Sequence, residues 1–292
     1  MNALIFGSNG QDGFYLSILL KSLGIQVIGV SRSNADEIGD IANLNFVESV
    51  IKNYTPHYIF NFAANSTTRH NVIFENHQTI STGTLNVLES VKQNCPNCKI
   101  FLSGSAMQFK NKGLPIDETT PFEASSPYSI SRIHSVYAAR YYRNRFGLKV
   151  YVGFFFNHDS PLRNEHHINQ KIAATVKRIK AGSNEKLPLG NMNVKKEFSF
   201  AGDIVEAVWK FVNQEDIFEA VIGSGLAYSI KDWVEYCFQK INKNWKEHVV
   251  ETEGFVAEYS ILVSNPAKIK SLGWSPKTSF DALADLMMDD TV

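Results

Sequence analysis

In the stretch Ser126-Pro127-Tyr128-Ser129-Ile130-Ser131-Arg132, Pro127 suits the first position of a helix, which puts Tyr128 and Arg132 at i and i+4 on one face. A phenol beside a fixed cation can give or take a proton, because the positive charge favours the phenolate. Upstream, Ser103, Gly104 and Ser105 follow an apolar run, and a serine hydroxyl there can hold a sugar or carbonyl oxygen. On their own, a helix-start tyrosine and an arginine one turn later are more often a packing group and a surface charge. What gives them weight is the N-terminus.

Ala3–Phe6 is a short apolar run that reads as a buried strand, and it meets Gly7, Gly10 and Gly13 in the pattern G-x-x-G-x-x-G, with Asn9 inside the loop. Apolar residues then recur at Phe14, Ile18, Leu19 and Leu23, so the chain passes from strand through a glycine turn into a helix. Gly7 permits the tight turn, Gly10 lets backbone approach a pyrophosphate, and Gly13 lets the helix pack close to its strand. Free N–H groups and the positive dipole end at the helix start complete a dinucleotide site. A bare glycine triplet is weak evidence; its place in a βα unit at the start of the chain strengthens it.

The second strand, Gln26–Val30, ends in Ser31-Arg32-Ser33. An acidic residue there would bind a ribose 2′-hydroxyl, whereas an arginine flanked by serines suits a 2′-phosphate. NADP is therefore the expected cofactor, with NAD as the alternative. In Gly39-Asp40-Ile41, Asp40 can accept from an adenine amino group. Leu44–Lys52 reads as a helix and Tyr58–Ala63 as a third strand, running into Ala64-Asn65-Ser66; small residues such as Ala63 and Ala64 at a strand's carboxyl end let a cofactor pass.

A helix over 75–94, with Ile80, Leu85 and Leu88 toward the sheet, precedes strands at Lys99–Ser103 and Lys149–Phe156. This alternation predicts an α/β fold with a doubly wound parallel sheet of Rossmann type. Residues 1–156 are read as the NADP-binding domain, with segments near 198–225 returning to it, and 157–292 as mainly a smaller sugar-nucleotide domain. Within the latter, the part from Ala220 onward, with a strand at 220–223, a helix at 230–241 and the turn Leu272-Gly273-Trp274, is expected to close over the sheet.

The 292 residues are 44% hydrophobic, and basic and acidic residues balance at 29 each, so no field favours nucleic acid or an anionic membrane. No apolar run approaches the ~20 residues of a membrane span, and a cytoplasmic protein is expected. Three cysteines argue against a disulfide framework. Cys95 and Cys98 form a C-x-x-C with no second pair nearby; the reading is structural, and no metal site is expected.

The stretches GSNGQDGFYL (7–16), GDI (39–41), NFAANS (61–66), ETTPF (118–122), SPYSISR (126–132), FNHDSPLRNE (156–165), LGNM (189–192) and SLGWSP (271–276) occur in this order along nearly the whole chain. With them the chain resembles the extended short-chain dehydrogenase/reductases, and within these the GDP-mannose 4,6-dehydratase family. The resemblance implies a nucleotide-diphosphate sugar, most simply a GDP-hexose, as substrate. It places Asn65, Ser66, Asn157, Arg163, Glu165, Lys171 and Lys196 on the substrate side, and a cationic pair such as Arg163 and Lys171 suits a diphosphate. His158 is expected to serve as a structural hydrogen-bonding group. The loop between Arg32 and Asp40 is shorter than the one that helps build the family's tetramer, and a homodimer is expected.

The departures bear on activity. Family dehydratases carry Thr-x-Glu after the catalytic-loop strand and Tyr-x-x-x-Lys on the next helix, where this chain has Gly104, Ala106, Tyr128 and Arg132. Alanine cannot exchange the protons that the glutamate handles during loss of water, whereas hydride transfer at C4 needs only the tyrosine, a cation and a hydroxyl such as Ser105 or Ser103. Lys196 replaces a family arginine, and Phe255 stands where another arginine contacts the nucleotide. The resemblance thus implies a 4-keto-sugar reductase or dehydrogenase. The alternatives are a dehydratase with a substitute acid or base, for which Gln108 and His158 are candidates, and a catalytically reduced dinucleotide-binding regulatory protein.

Overall fold

The computed structural model describes residues 1–289. Its centre is a sheet whose strands are apolar on both faces, as a sheet covered by helices on both sides requires. In chain order the first half comprises β1 (Asn2–Phe6), α1 (Gln11–Ser22), β2 (Gln26–Ser31), β3 (Glu37–Ile38), α2 (Leu44–Tyr54), β4 (Tyr58–Asn61), α3 (Ile73–Asn76), α4 (Gly83–Asn94), β5 (Lys99–Ser105), α5 (Pro127–Phe146) and β6 (Lys149–Phe155). A π-helical turn, His77–Thr82, joins α3 to α4. The second half runs β7 (His158–Asp159), α6 (Ile168–Lys180), β8 (Leu187–Leu189), β9 (Lys195–Glu197), β10 (Ser199–Phe200), α7 (Ala201–Val212), β11 (Glu219–Ile222), β12 (Ala227–Ser229), α8 (Ile230–Lys240), β13 (Val249–Glu251), β14 (Ile261–Leu262), α9 (Ala267–Ser271) and α10 (Phe280–Met288).

Seven parallel strands form the central sheet in the order β11-β6-β5-β4-β1-β2-β3. The chain leaves β1 in one direction and later returns to pair β4 on its other side, so the crevice beyond the carboxyl ends of β1 and β4 is the switch point where such sheets bind ligands. One face is covered by α2, α4 and α5 through Val47, Val50, Val87, Leu88, Val91 and Val136. The other is covered by α1, α7 and α9 through Leu16, Leu20, Ile204, Val208, Phe211 and Ile269. A separate core, including Ile172, Trp233, Phe238 and Met287, forms among α6, α8 and α10.

Several sequence expectations shift. The buried face of α1 is Gly13, Leu16 and Leu20, while Phe14, Ile18 and Leu23 are exposed. Gly13 decides this: a Cβ there would stand 2.5 Å from the Gly7 carbonyl oxygen, so its side of the helix faces the loop and the residues one and two turns on follow it inward. Leu85 is likewise turned outward, 37% exposed, and Val87, Leu88 and Val91 make the contact. β5 continues through Ser105, and two-residue β3 adds an edge not read in the acidic loop. The strand read at 220–223 is β11, one residue earlier, and it pairs with β6 in the central sheet, on the side of the reading that returned 198–225 to the first domain rather than of the one that put it in the closing part; Trp274 packs beneath the same sheet.

The smaller sheet β12-β9-β14 is held at its centre by Glu197. This fully buried carboxylate accepts N–H bonds from Ser224 (2.5 Å), Gly225 (3.2 Å) and Ser264 (2.6 Å), and the Ser224 hydroxyl adds a fourth at 3.1 Å. A buried carboxylate is tolerable because its lone pairs are met in this way.

Candidate active site

The glycine loop has the geometry a diphosphate needs. Gly7 has φ +83°, and a Cβ on it would lie 2.9 Å from the backbone nitrogen of Ala63, so β1 and β4 approach there as only glycine allows. Gly10 is the N-cap of α1 and caps it with no side chain, leaving the first-turn N–H groups available. A Cβ on Gly10 would meet only the Gly7 carbonyl oxygen, at 3.4 Å; that side opens into a cavity. Together these features fit a bound dinucleotide phosphate.

Two cavities of about 460 Å³ each meet at this loop and share Gly7, Asn9, Gly10 and Ala64 in their walls. The outer one is bounded by Arg32, Asp40, Ile41, Ala63 and Asn65. Asn9 donates to the Ser33 carbonyl, Asp40 accepts from Ala42 N–H at 2.9 Å, and Asn65 donates to Glu75 at 3.1 Å. Arg32 is exposed on the rim.

The inner cavity gathers Gly13, Ser66, Ser103, Ser105, Ala106, Tyr128, Arg132, Asn157 and Arg163. Ser126 caps α5 by accepting from Ser129 N–H at 3.1 Å, and Pro127 fixes the first turn, which sets Tyr128 at the cavity wall. Arg132 is 7% exposed, its guanidinium carbon 5.1 Å from the centre of the Tyr128 ring. It donates to the Ser103 carbonyl and, at 3.0 Å, to the Ser103 hydroxyl, which itself donates to Asn61 O at 3.0 Å. Ser103 is thereby committed to holding the cation. The Ser105 hydroxyl accepts from Met107 N–H at 3.2 Å and keeps its own proton to donate. Gln108 is fully buried and accepts from Ser105 N–H at 2.9 Å, which removes it as a substitute base; an amide is in any case unsuited to that role.

His158 has a more specific place than an isolated hydrogen-bonding group. Its Nδ1 lies 2.8 Å from Phe156 O and its Nε2 lies 2.9 Å from Asp12 Oδ1, in the first turn of α1. Burial disfavours the charge on both, yet their mutual attraction prevails, so His158 is raised and Asp12 lowered from their usual values. With Nδ1 donating to a carbonyl, Nε2 faces the carboxylate, and both shifts favour the charged form of the pair. Gln11 reinforces it, donating to His158 O at 3.2 Å and accepting from the Ser160 hydroxyl at 3.0 Å. Sequence reasoning missed Gln11 and Asp12, although one signal was present: an acidic residue inside a phosphate-binding turn is electrostatically wrong unless a cation covers it.

Among the residues expected on the substrate side, Asn157 lines the inner cavity, and its Oδ1 is buried without a hydrogen-bond partner. Arg163 lies 3.5 Å from the buried Asp159, which also accepts from Asn169 at 2.6 Å. Burial, with Arg163 adding repulsion, pushes His167 down to about 4; burial likewise pushes Lys196 down to about 8, opposed by Asp159. Lys196 sits over the Phe198 ring and outside the cavity wall. The structure does not bring Glu165 or Lys171 to the cavity: Glu165 pairs with Arg178 at 2.9 Å, and Lys171 donates to Pro188 O at 2.6 Å. Phe255 is largely exposed and packs across Gly190.

Comparison with known proteins agrees with this geometry. A family model for GDP-mannose 4,6 dehydratase matches residues 4–287. The chain is 31% identical to GDP-mannose 4,6 dehydratase 1 of Arabidopsis thaliana, the alignment covering 99% of this chain and 89% of that protein. In fold it is similar to UDP-glucose 4-epimerase of Thermotoga maritima with UDP-glucose (TM-score 0.89, 20% identity, 99% and 97% of the two chains). It is also similar to RMD of Pseudomonas aeruginosa complexed with NADPH (TM-score 0.88, 18% identity, 98% and 97%).

Proposed function

Because this chain belongs to the GDP-mannose 4,6-dehydratase family, we propose that it is a nucleotide-sugar oxidoreductase that uses NADP(H), with NAD as the lesser alternative, at C4 of a GDP-linked hexose, and that it does not dehydrate its substrate. The observation that carries this is the wall of the inner cavity. Ala106 stands there, 2% exposed, where the family has its glutamate, and the one carboxylate among the lining residues, Asp12, is tied to His158. The wall thus offers no free carboxylate to receive a proton from sugar C5; the neutral imidazole of His167, which also lines it, is the one remaining base to be tested.

A nicotinamide dinucleotide, when bound, supplies or accepts the hydride. The glycine loop and the start of α1 would hold its diphosphate, with Asp40 near adenine and Arg32 at a 2′-phosphate. Tyr128 gives a proton to, or takes it from, the C4 oxygen as the hydride moves. Arg132, anchored on Ser103, keeps positive charge beside the phenol without itself exchanging a proton. Ser105 donates to the same oxygen. Asn157 and Arg163 face the sugar diphosphate. Lys196 acts only through its charge, beside Asp159 and Arg163, and Glu165 and Lys171 take no part.

The stripe Ile130, Tyr137 and Tyr141, exposed along α5, supports association with a second copy of this chain. Analytical ultracentrifugation checks that part of the reading.

The decisive experiment supplies a GDP-linked 4-keto-hexose with NADPH and follows cofactor oxidation, then supplies GDP-mannose with NADP and looks for a 4-keto-6-deoxy product by mass spectrometry. Turnover in the first assay alone supports the oxidoreductase. The engagement of Ser103 and Arg132 with each other favours one second reading, a dinucleotide-binding protein without turnover; binding with no reaction in either assay would establish it.

A further inference from the structure

The C-x-x-C motif lies at the other end of β5 from Ser103 and Ser105, and the proposed activity leaves it unused. Cys95 ends α4, bonding to Val91 O, and Cys98 N–H bonds to Cys95 O at 2.9 Å. The four residues therefore make a closed turn, whose end Cα atoms lie within about 7 Å. Disulfides span Cα separations of about 4.4 to 6.8 Å, so the backbone already holds the two cysteines at bridging distance. Both line a cavity of about 480 Å³ with Pro56, His57 and Lys99. Cys95 is half-buried and Cys98 buried.

The Cys98 thiol donates to Lys99 O at 3.6 Å. The nearness of the two sulfurs lowers Cys95, while burial, with Cys95 beside it, pushes Cys98 well up. That asymmetry gives one accessible, more acidic thiol and one shielded thiol behind it. Among the described residues no third His, Cys, Asp or Glu completes a metal site around them. Cys237 lies elsewhere, fully buried among α6, α8 and α10, where burial pushes its thiol up to about 12.

We propose that Cys95 and Cys98 are a reversible dithiol–disulfide site, in which a low-molecular-weight disulfide reacts at Cys95 and Cys98 resolves the adduct. The Cys95 thiolate attacks one sulfur of oxidised glutathione, whose S–S bond breaks and releases one glutathione thiolate, which takes a proton from water. Cys98 then loses its proton to solvent and attacks the Cys95 sulfur; the bond to glutathione breaks and the second glutathione leaves as thiol. The protein gives up two electrons and two protons, and one glutathione disulfide becomes two thiols. Cys95 sits at the C-terminal end of α4, where the helix dipole works against the lowering by Cys98 and moderates the rate of exchange.

The test incubates the native full-length protein with oxidised glutathione and reads its mass without reduction. The expected product has lost two hydrogens, a peptide map links residues 95 and 98, and dithiothreitol reverses it. Cys98→Ser should instead accumulate a glutathione adduct on Cys95, roughly tenfold above wild type, because resolution is lost. Cys237→Ser should leave the outcome unchanged. A stable adduct on Cys95 of wild type, or three free thiols in the native protein while the urea-unfolded chain forms the bridge, would overturn the proposal.

Discussion

His158 Nε2 stands 2.9 Å from Asp12 Oδ1, and this contact fastens the glycine loop to the segment that carries Asn157. Removing either charge leaves the other buried and uncompensated, at a cost of about 3 kcal/mol. His158 is raised above its usual 6.5, so its contribution is complete below that value and is lost as pH rises through the higher folded value. Asp12 is lowered below its usual 3.8, so its contribution is complete above that value and is lost as pH falls through the lower one. The difference in Tm between wild type and Asp12→Asn should therefore be largest between pH 3.8 and 6.5 and shrink on the alkaline side. A difference that does not vary with pH would show that the contact is not an ion pair.

Arg32→Ala should weaken NADP(H) by about 1.5 to 3 kcal/mol, roughly one to two decades, and leave NAD(H) nearly unchanged, since only the former presents a phosphate to the guanidinium. Calorimetric titration of both cofactors against both proteins checks this. Equal losses would assign Arg32 to something other than the phosphate.

The family's Thr-x-Glu should not be restorable by substitution at 104 and 106 alone. A Cβ on Gly104 meets the Phe154 ring at 2.7 Å and Gln108 Oε1 at 3.1 Å. Gly104→Thr with Ala106→Glu should then lose about 1 to 3 kcal/mol through overpacking, measured by denaturant unfolding, and yield no 4-keto-6-deoxy product from GDP-mannose. Adding Phe154→Leu should recover part of the stability. Wild-type stability in the double variant would mean that the Phe154 ring moves aside freely.

Tyr128→Phe should reduce turnover by at least about a hundredfold with little change in cofactor affinity, because only the proton path is removed. Arg132→Lys should retain or raise activity: an ammonium keeps the charge and can leave Ser103 for the ligand. If Arg132→Lys with Ala106→Glu instead creates dehydration in a protein that otherwise turns over no nucleotide sugar, the binding-only reading replaces the oxidoreductase.

What the sequence made legible is what local sterics dictate. Gly7 and Gly13 signal their positions because a Cβ at either would collide with neighbouring backbone, and Ser126-Pro127 announces the helix that presents Tyr128. Relationships between distant residues left little trace. Asp12 and His158 are 146 residues apart, Gly104 is constrained by a ring on the adjacent strand, and Leu16 rather than Ile18 faces inward because of a contact made by Gly13. Glu165 and Lys171 share a segment with Arg163, but α6 and the turn before it point them at Arg178 and Pro188.

The buried carboxylate of Glu197 sets an order of events during synthesis. Its donors come from Ser224, Gly225 and Ser264, so a nascent chain that has emerged only as far as β12 lacks the last of them. Until Ser264 arrives, closing that sheet would strand a charge with an incomplete set of partners, and the region should stay open to water and to proteases. A chain truncated at Ser260 should be cut rapidly around Lys195–Glu197 under limited proteolysis, whereas the full chain resists. Emergence of Ser264, rather than completion of the central sheet, would then mark the moment at which the protein becomes durable.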